Sequence, residues 1–217
     1  IVISHRDGVR SAQEGAGGFL RSDGTYLITG GLGGLGILVA RWMVEQGARH
    51  VVLLGRHEAA GDALDAVGEL RGAGVQVTTI RGDVAVAEDV AGVLRYIAET
   101  MPPLRGVVHA AGVLNDGVLL RQSWGAFEEV MAPKVRGAWN LHVQTRNQPL
   151  DFFVLFSSLV SLVGSAGQGN HVAANAFLDA LAHCRKRRGL PALSINWGAW
   201  SETGAVASTD LAKRIAA

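Results

Sequence analysis

Two polar side chains lie one helical turn apart in the segment GQGNHVAANAF, residues 167–177, which ends a glycine- and serine-rich loop and opens a predicted helix. His171 and Asn175 are four positions apart, so a helix would place them on the same face. An imidazole and an amide at the start of a helix are either capping groups or part of an active site. The sequence around them decides between these interpretations.

Two further polar residues are candidates for the same site. Ser158 stands at the end of the apolar segment FFVLFSS, and Lys134 lies in the preceding helical segment APKVRGAWNLH. Reduction of a carbonyl group needs a hydride donor, a hydrogen bond that polarises the carbonyl and a proton for the nascent alkoxide. The hydroxyl, ammonium, imidazole and amide groups of these residues are suited to the two polar roles.

A glycine-rich loop near the first strand is typical of dinucleotide binding. Glycine permits the tight turn and the close approach of a pyrophosphate, which the following helix N-terminus attracts. The loop lies between a predicted strand and a predicted helix, the context that the motif requires. A packing turn alone would not need so many glycines. The loop, TGGLGGLG, consists of Thr29, Gly30, Gly31, Leu32, Gly33, Gly34, Leu35 and Gly36.

Residues after the next three strands favour NADPH as the cofactor. The second strand ends in Arg56, whose guanidinium suits a 2′-phosphate, where an NAD-binding site would have an acid. The alternative is a solvated surface arginine. Asp83 and Val84, after the third strand, are placed to contact the adenine. The fourth strand leads into Ala110, Ala111 and Gly112, where the backbone would pass the cofactor.

The elements that must position these residues alternate between apolar strands and helices. The strands are continuous apolar runs, which is typical of a parallel sheet buried on both faces. We therefore predict an α/β fold, a doubly wound parallel sheet with helices on both faces. The predicted strands cover 25–30, 50–56, 75–84, 105–112, 152–158 and 192–198; the predicted helices cover 34–48, 58–71, 87–99, 121–144 and the segment from His171 to RRG at 187–189.

Charge and composition exclude several classes of function. The net charge is +1, from 20 basic and 19 acidic residues, so no overall field points to nucleic acid or an anionic membrane. The basic run at 185–189 is expected to complement a helix dipole. The single cysteine, Cys184, excludes an internal disulfide and indicates a reducing compartment. No apolar run spans a bilayer and no metal-ligand pattern occurs, so we expect a cytoplasmic protein without a metal.

Six segments together resemble the ketoreductase domains of modular polyketide synthases, which are related to those of animal-type fatty acid synthases. These domains belong to the short-chain dehydrogenase/reductase superfamily, whose nucleotide-binding architecture is of the Rossmann type. The resemblance extends from about residue 25 to residue 200. The segments are TYLITGGLGGLG, VVHAAGVLNDG, KVRGAWNLH, FSSLVSLVGSAGQGN, VAANAFLDALA and INWGAW.

The resemblance implies roles for four residues and reveals one replacement. Lys134, Ser158 and Asn175 match the family's lysine, serine and asparagine, but His171 takes the place of the proton-donating tyrosine. The neighbouring lysine ammonium would keep the imidazole neutral. The imidazole is also about 2 Å shorter than a tyrosine side chain, and a misplacement of about 1 Å can cost on the order of 100-fold in rate. We expect NADPH binding with weak or absent reduction; a silent scaffold domain is the alternative.

The resemblance also implies a substrate and partners. The substrate would be a β-ketoacyl chain on the phosphopantetheine arm of an acyl carrier protein, within a megasynthase of neighbouring domains. Leu114, Asn115 and Asp116 resemble the motif of B-type domains, which give D-3-hydroxyacyl products, although the same residues also suit a simple turn. We expect a linker or remnant of a structural half at 1–24, a catalytic domain at 25–207 and the start of a truncated segment at 208–217.

Overall fold

The computed structural model describes residues 19–198. Six strands alternate with seven α-helices in this part of the chain. The strands are β1 Thr25–Thr29, β2 His50–Gly55, β3 Gln76–Arg81, β4 Leu104–His109, β5 Phe152–Ser158 and β6 Leu193–Trp197. The α-helices are α1 Gly34–Glu45, α2 Asp62–Gly72, α3 Ala87–Thr100, α4 Trp124–Met131, α5 Ala138–Thr145, α6 Val160–Val163 and α7 Gly169–Arg187.

All six strands run parallel in one sheet, in the order β3-β2-β1-β4-β5-β6. The order reverses between β1 and β4, and ligands of such sheets bind outside the carboxyl ends of the strands at this point. The predicted doubly wound α/β fold is confirmed.

The strands are continuous apolar runs because each of the two sheet faces is covered by helices. Leu27 and Phe153 pack with α3, α5 and α7, whereas Ile28 and Val51 pack with α1 and α2. Successive strand residues point to opposite faces, so both parities must be apolar in a sheet covered on both sides. All five residues of β1 are buried.

The helical region predicted at 121–144 is interrupted. A 3₁₀ turn at Leu119–Arg121 precedes α4, and a π-helical turn at Ala132–Gly137 separates α4 from α5. Pro133 lies in the π-helical turn. Proline has no N–H and its ring collides with the carbonyl four residues earlier, so an α-helix cannot pass through it undisturbed. This proline was the sequence signal for the interruption.

Other boundaries differ from the predictions by a few residues. Helix α2 begins at Asp62, not at residue 58, and β3 and β4 each end three residues earlier than predicted, at Arg81 and His109. The short helix α6 was not predicted. Within residues 19–198, every helix is too short or too polar to cross a membrane. The predicted boundaries at residues 1–18 and 199–217 lie outside the described residues.

The end of α7 differs from its sequence interpretation. Arg185, the first residue of the basic run, is fully buried and does not simply face the solvent at the helix terminus. Its guanidinium lies 3.8 Å from the ring centroid of Phe153, and its Nε donates to the carbonyl of Pro191. Arg185 therefore stabilises the packing of α7 on β5, a cation–π role that a charge pattern alone does not reveal.

Candidate active site

A cavity of about 660 Å³ opens at the carboxyl edge of the sheet, where the strand order reverses. Its size is in the range typical of small-molecule sites. Sixteen of the residues predicted to bind or react line this cavity. They are Gly30, Leu32, Gly33, Gly34, Leu35, Gly36, Arg56, Asp83, Val84, Ala110, Ala111, Gly112, Leu114, Lys134, Ser158 and His171.

The glycine loop forms one end of the cavity because its backbone must turn and pack closely. Gly30 has a φ of 68°, a conformation that favours glycine. A Cβ on Gly36 would lie 2.3 Å from the carbonyl oxygen of Gly30, so only glycine permits α1 to begin against the loop. The first turn of an α-helix leaves backbone N–H groups without intrahelical partners. The free N–H groups at the start of α1 therefore indicate an anion-binding site.

Five of the predicted residues do not line the cavity. Thr29 is buried and its Oγ1 lies 2.6 Å from Nδ1 of His109. Gly31 packs against Leu53 of β2. These two residues therefore support the loop from behind. The other three, Asn115, Asp116 and Asn175, contact the elements that surround the cavity and are described below.

The π-helical turn directs Lys134 into the site. Lys134 is buried, and its Nζ donates a hydrogen bond of 2.9 Å to the carbonyl of Phe156 on β5. Burial lowers the pKa of Lys134 to about 8, while the carboxylate of Asp179 acts in the opposite direction. The lysine therefore stays mostly cationic at neutral pH, although it forms no ion pair among residues 19–198. π-Helical turns often occur at functional sites.

His171 lies in the first turn of α7 and faces the same cavity as Lys134. Its Nδ1 is buried and has no hydrogen-bond partner among the described residues. Burial, with a smaller contribution from the nearby Lys134 charge, lowers the pKa of His171 to about 4, although the carboxylate of Asp116 acts in the opposite direction. The imidazole is therefore neutral at pH 7.

Asn175 and Ser158 flank this pair. Asn175 is fully buried, its Nδ2 donates to the carbonyl of His171 at 2.8 Å, and its Oδ1 finds no partner among residues 19–198. Ser158 Oγ accepts a long hydrogen bond of 3.4 Å from the N–H of Val160. The amide thus stiffens the first turns of α7, and the serine hydroxyl keeps its proton for a ligand in the cavity.

The loop at 113–117 is tied to the start of α7 by two residues that the sequence analysis did not single out. Gln168 Nε2 donates to Asp116 at 2.9 Å, and Asn170 Nδ2 donates to the carbonyl of Asn115 at 2.7 Å. Asn170 also accepts from the N–H of His171 at 2.7 Å. Both side chains are buried directly before His171, and their partners are 52 and 55 residues away in the sequence, so no local signal identified them.

His109, at the end of β4, has a structural role. It is buried beside Thr29, and burial together with the Lys134 charge lowers its pKa to about 3. A neutral histidine hydrogen-bonded behind the loop does not act as an acid at neutral pH.

The family model of the KR domain matches residues 24–202, most of the chain. The chain belongs to the KR domain family. These are the ketoreductase domains of polyketide synthases, oxidoreductases of the short-chain dehydrogenase/reductase fold, which bind a nicotinamide cofactor. The predicted family is therefore confirmed.

Curated relatives of this KR domain are long polyketide synthases. The chain is 45% identical over 184 residues to the mycocerosic acid synthase-like polyketide synthase of Mycobacterium tuberculosis, covering 85% of this chain and 9% of that protein. It is 41% identical over 210 residues to the highly reducing polyketide synthase azaB of Aspergillus niger, covering 97% of this chain and 8% of that protein. The KR domain thus spans less than a tenth of these two relatives.

Solved ketoreductases share the fold. A structure of A-type ketoreductases from a modular polyketide synthase matches with a TM-score of 0.86 and 40% identity, covering 93% of this chain and 43% of that one. The first ketoreductase of the tylosin polyketide synthase matches with a TM-score of 0.77 and 42% identity, covering 88% and 41%. The chain corresponds to less than half of each solved domain.

A nicotinamide dinucleotide fits the cavity of this KR domain. The glycine cradle at 30–36 turns tightly, since a Cβ at Gly30 or Gly36 would lie less than 3 Å from backbone atoms, and the N-terminus of α1 lies beside it. Arg56 lines the same cavity after β2, and Lys134 and Ser158 line it after β4 and β5. One end therefore suits phosphates and the other end suits the reacting groups. The described residues contain no cluster of histidine, cysteine and acidic side chains that could hold a metal ion.

Proposed function

We propose that this KR domain binds NADPH, and that its reduction of a β-ketoacyl chain to a β-hydroxyacyl chain is greatly weakened by His171. The observation that carries the proposal is the joint presence of Lys134, Ser158 and His171 on one cavity wall beside the glycine cradle. The first two retain the chemistry of a reductase site. The third is a neutral imidazole where that chemistry requires an acid.

Arg56 supports NADPH over NADH. It is exposed at the end of β2 and lines the cavity, so its guanidinium is free to bind a 2′-phosphate through two parallel hydrogen bonds. The side chain of Asp83 accepts from the N–H of Ala85 at 2.8 Å, which fixes the loop after β3. Asp83 and Val84 are then positioned to contact the adenine. The backbone at Ala110, Ala111 and Gly112 lines the cavity where it would pass the cofactor.

Each polar residue has a distinct role in the proposed reduction. NADPH supplies the hydride when bound. The Ser158 hydroxyl donates a hydrogen bond to the substrate carbonyl, and this bond strengthens as negative charge develops on the oxygen. Lys134, mostly ammonium at neutral pH, stabilises negative charge in the buried site and binds the cofactor ribose. Asn175 fixes the backbone of His171 and keeps Lys134 and water aligned.

His171 weakens the last step, delivery of a proton to the alkoxide. Because the pKa of His171 is about 4 in the folded state, its imidazole is almost never protonated at pH 7. Its ring is also about 2 Å shorter than a phenol, so it falls short of the carbonyl that Ser158 binds. A change of pH restores the proton but not the distance.

The proposed substrate is carried by an acyl carrier protein in a cytoplasmic megasynthase, with residues 25–207 as the catalytic domain between neighbouring domains. Leu114 lines the cavity, and Asp116 is held by Gln168 at the start of α7. Asn115 is held through its carbonyl by Asn170. We propose that this loop guides the acyl chain for a B-type, D-3-hydroxy product.

A second candidate function is a silent scaffold that binds NADPH or the carrier protein without reducing the substrate. The buried, unpartnered Nδ1 of His171 favours it, because a working proton donor is normally held by hydrogen bonds. Fluorescence titration with NADPH and NADH, followed by NADPH oxidation with a diketide thioester, tests both candidates. Tighter binding of NADPH with slow turnover supports the first, and binding without turnover supports the second. Absence of NADPH binding contradicts the first candidate and leaves only a scaffold that binds the carrier protein.

A further inference from the structure

Asp179 lies on α7, one turn after Asn175 and two turns after His171. Its carboxylate accepts hydrogen bonds from Ser161 Oγ at 2.6 Å, Ser194 Oγ at 2.5 Å and Asn196 Nδ2 at 3.0 Å. It forms no ion pair with any residue in the described range 19–198. Partial burial raises the pKa of Asp179, but the hydrogen bonds outweigh burial and hold the pKa below its usual value. The carboxylate is thus ionised and held by neutral donors alone.

Asn196 on β6 connects this carboxylate to the reactive end of β5. Its Nδ2 lies 2.8 Å from Ser161 Oγ, 3.2 Å from Ser157 Oγ and 3.3 Å from the carbonyl oxygen of Ser158, so its two N–H groups are shared among these acceptors and Asp179. Ser157 Oγ in turn donates to the carbonyl of Asn175 at 3.2 Å. These contacts link the carboxylate, through Asn196, to the side chain of Ser157 and to the backbone of Ser158, so displacement of Asp179 would loosen the end of β5.

The same carboxylate acts electrostatically on Lys134. Two histidines, His171 on α7 and His109 on β4, also interact with the lysine charge, but both are neutral at pH 7. Asp179 is the group that favours the ammonium form of Lys134 against the effect of burial. A buried lysine readily loses its proton without such a counter-charge.

We propose that Asp179 is a positioning residue of this active site: its hydrogen-bonded carboxylate holds the Ser157–Ser158 end of β5 through Asn196 and supplies the negative charge that balances the Lys134 ammonium. The inference rests on the function proposed above for Lys134 and Ser158. It assigns Asp179 to the site although the side chain does not line the cavity.

Amine labelling tests the electrostatic part without cofactor or substrate. The rate at which a small acylating reagent modifies Lys134 is followed against pH by peptide mass spectrometry. Asp179→Asn removes the charge and keeps the shape, so the labelling midpoint of Lys134 should fall by roughly half a pH unit or more, about a threefold faster rate at neutral pH. The exposed Lys186 is the internal reference, whose profile should not change.

Asp65→Asn on α2 is the matched control, because Asp65 is an exposed carboxylate outside the cavity wall. It should leave the labelling of Lys134 unchanged. If Asp179→Asn does not fold by circular dichroism, Asp179→Ser removes the same charge and takes its place. An unchanged Lys134 profile in the folded variant overturns the proposal.

Asn196→Ala tests the positioning part, in a chain that also carries His171→Tyr. It cuts the connection to the serines and keeps the Asp179 charge, so kcat should fall about tenfold while NADPH affinity and the Lys134 labelling profile stay the same. An unchanged kcat overturns this part. Inactivity of His171→Tyr itself contradicts the proposed function, whereas the labelling result still decides the role of Asp179.

Discussion

At the scale of single residues, His171 shows how one side chain can separate binding from catalysis. The imidazole occupies the first turn of α7, where Asn170 and Asn175 fix its backbone through hydrogen bonds of 2.7 and 2.8 Å. Its position is therefore set by the fold, and its chemistry is set by burial beside Lys134. A side chain whose backbone is well positioned can still fail as a proton donor if it is too weakly acidic in its protonation state at neutral pH and too short to contact the substrate.

Arg56 gives a prediction about cofactor choice. Arg56→Ala should weaken NADPH binding by about 10- to 100-fold and leave NADH binding nearly unchanged, because only NADPH carries the 2′-phosphate. Fluorescence titration with both cofactors measures the two affinities. Arg95→Ala, an exposed arginine on α3, is the control and should change neither. An equal loss for both cofactors would contradict the role given to Arg56.

At the scale of elements, the start of α1 is the most constrained part of the cofactor site. Gly36→Ala would place a methyl group 2.3 Å from the Gly30 carbonyl. We expect a loss of about 1–3 kcal/mol in the free energy of unfolding, together with at least tenfold weaker NADPH binding. Chemical denaturation and fluorescence titration measure these two effects.

Gly68→Ala on α2 is the matched control for that prediction. A Cβ at Gly68 would meet no heavy atom within 4 Å. Alanine favours the helix over glycine, so this variant should gain about 0.5–1 kcal/mol of stability and bind NADPH normally. If both alanine variants lose stability equally, close packing at Gly36 is not the cause.

The sequence predicted elements with local signals better than elements that depend on packing. The apolar runs, the glycine loop and Arg56 are local patterns, and they identified the sheet, the cradle and the cavity wall. The π-helical turn at 132–137 was not predicted. Pro133 indicates an interrupted helix, but a helix can bend in several ways around a proline, so the sequence does not specify which one occurs. Gln168, Asn170 and Asp179 act through partners distant in sequence, which a pattern along the chain does not show.

At the scale of the whole molecule, buried histidines make the fold sensitive to acid. Burial is the main cause that lowers the pKa values of His109 to about 3 and His171 to about 4, and it also lowers the pKa of His142. His142 Nδ1 lies 3.0 Å from the buried guanidinium of Arg185, which disfavours a second positive charge. Each histidine thus binds its proton more weakly in the folded state than in the unfolded state.

This difference predicts a loss of stability below the unfolded-state pKa of about 6.5. The contribution of these histidines is present above that pH and is lost as the pH falls towards the folded values. The slope should approach about 1.4 kcal/mol per pH unit for each histidine that titrates. Urea denaturation at a series of pH values between about 7.5 and about 4 measures this dependence of the free energy of unfolding on pH. Replacement of the exposed His183 by glutamine should not alter the slope, and a constant stability would contradict the prediction.

The most direct test of the central claim compares this chain with its His171→Tyr variant in NADPH oxidation with a diketide thioester. Tyrosine supplies a phenol of the right length beside Lys134 and Ser158, so the variant should turn over at least about 100-fold faster with unchanged NADPH affinity. Adding Ser158→Ala to the tyrosine variant should abolish the gain. If the unmodified chain reduces the thioester as fast as the tyrosine variant, His171 is a competent proton donor and the account is wrong.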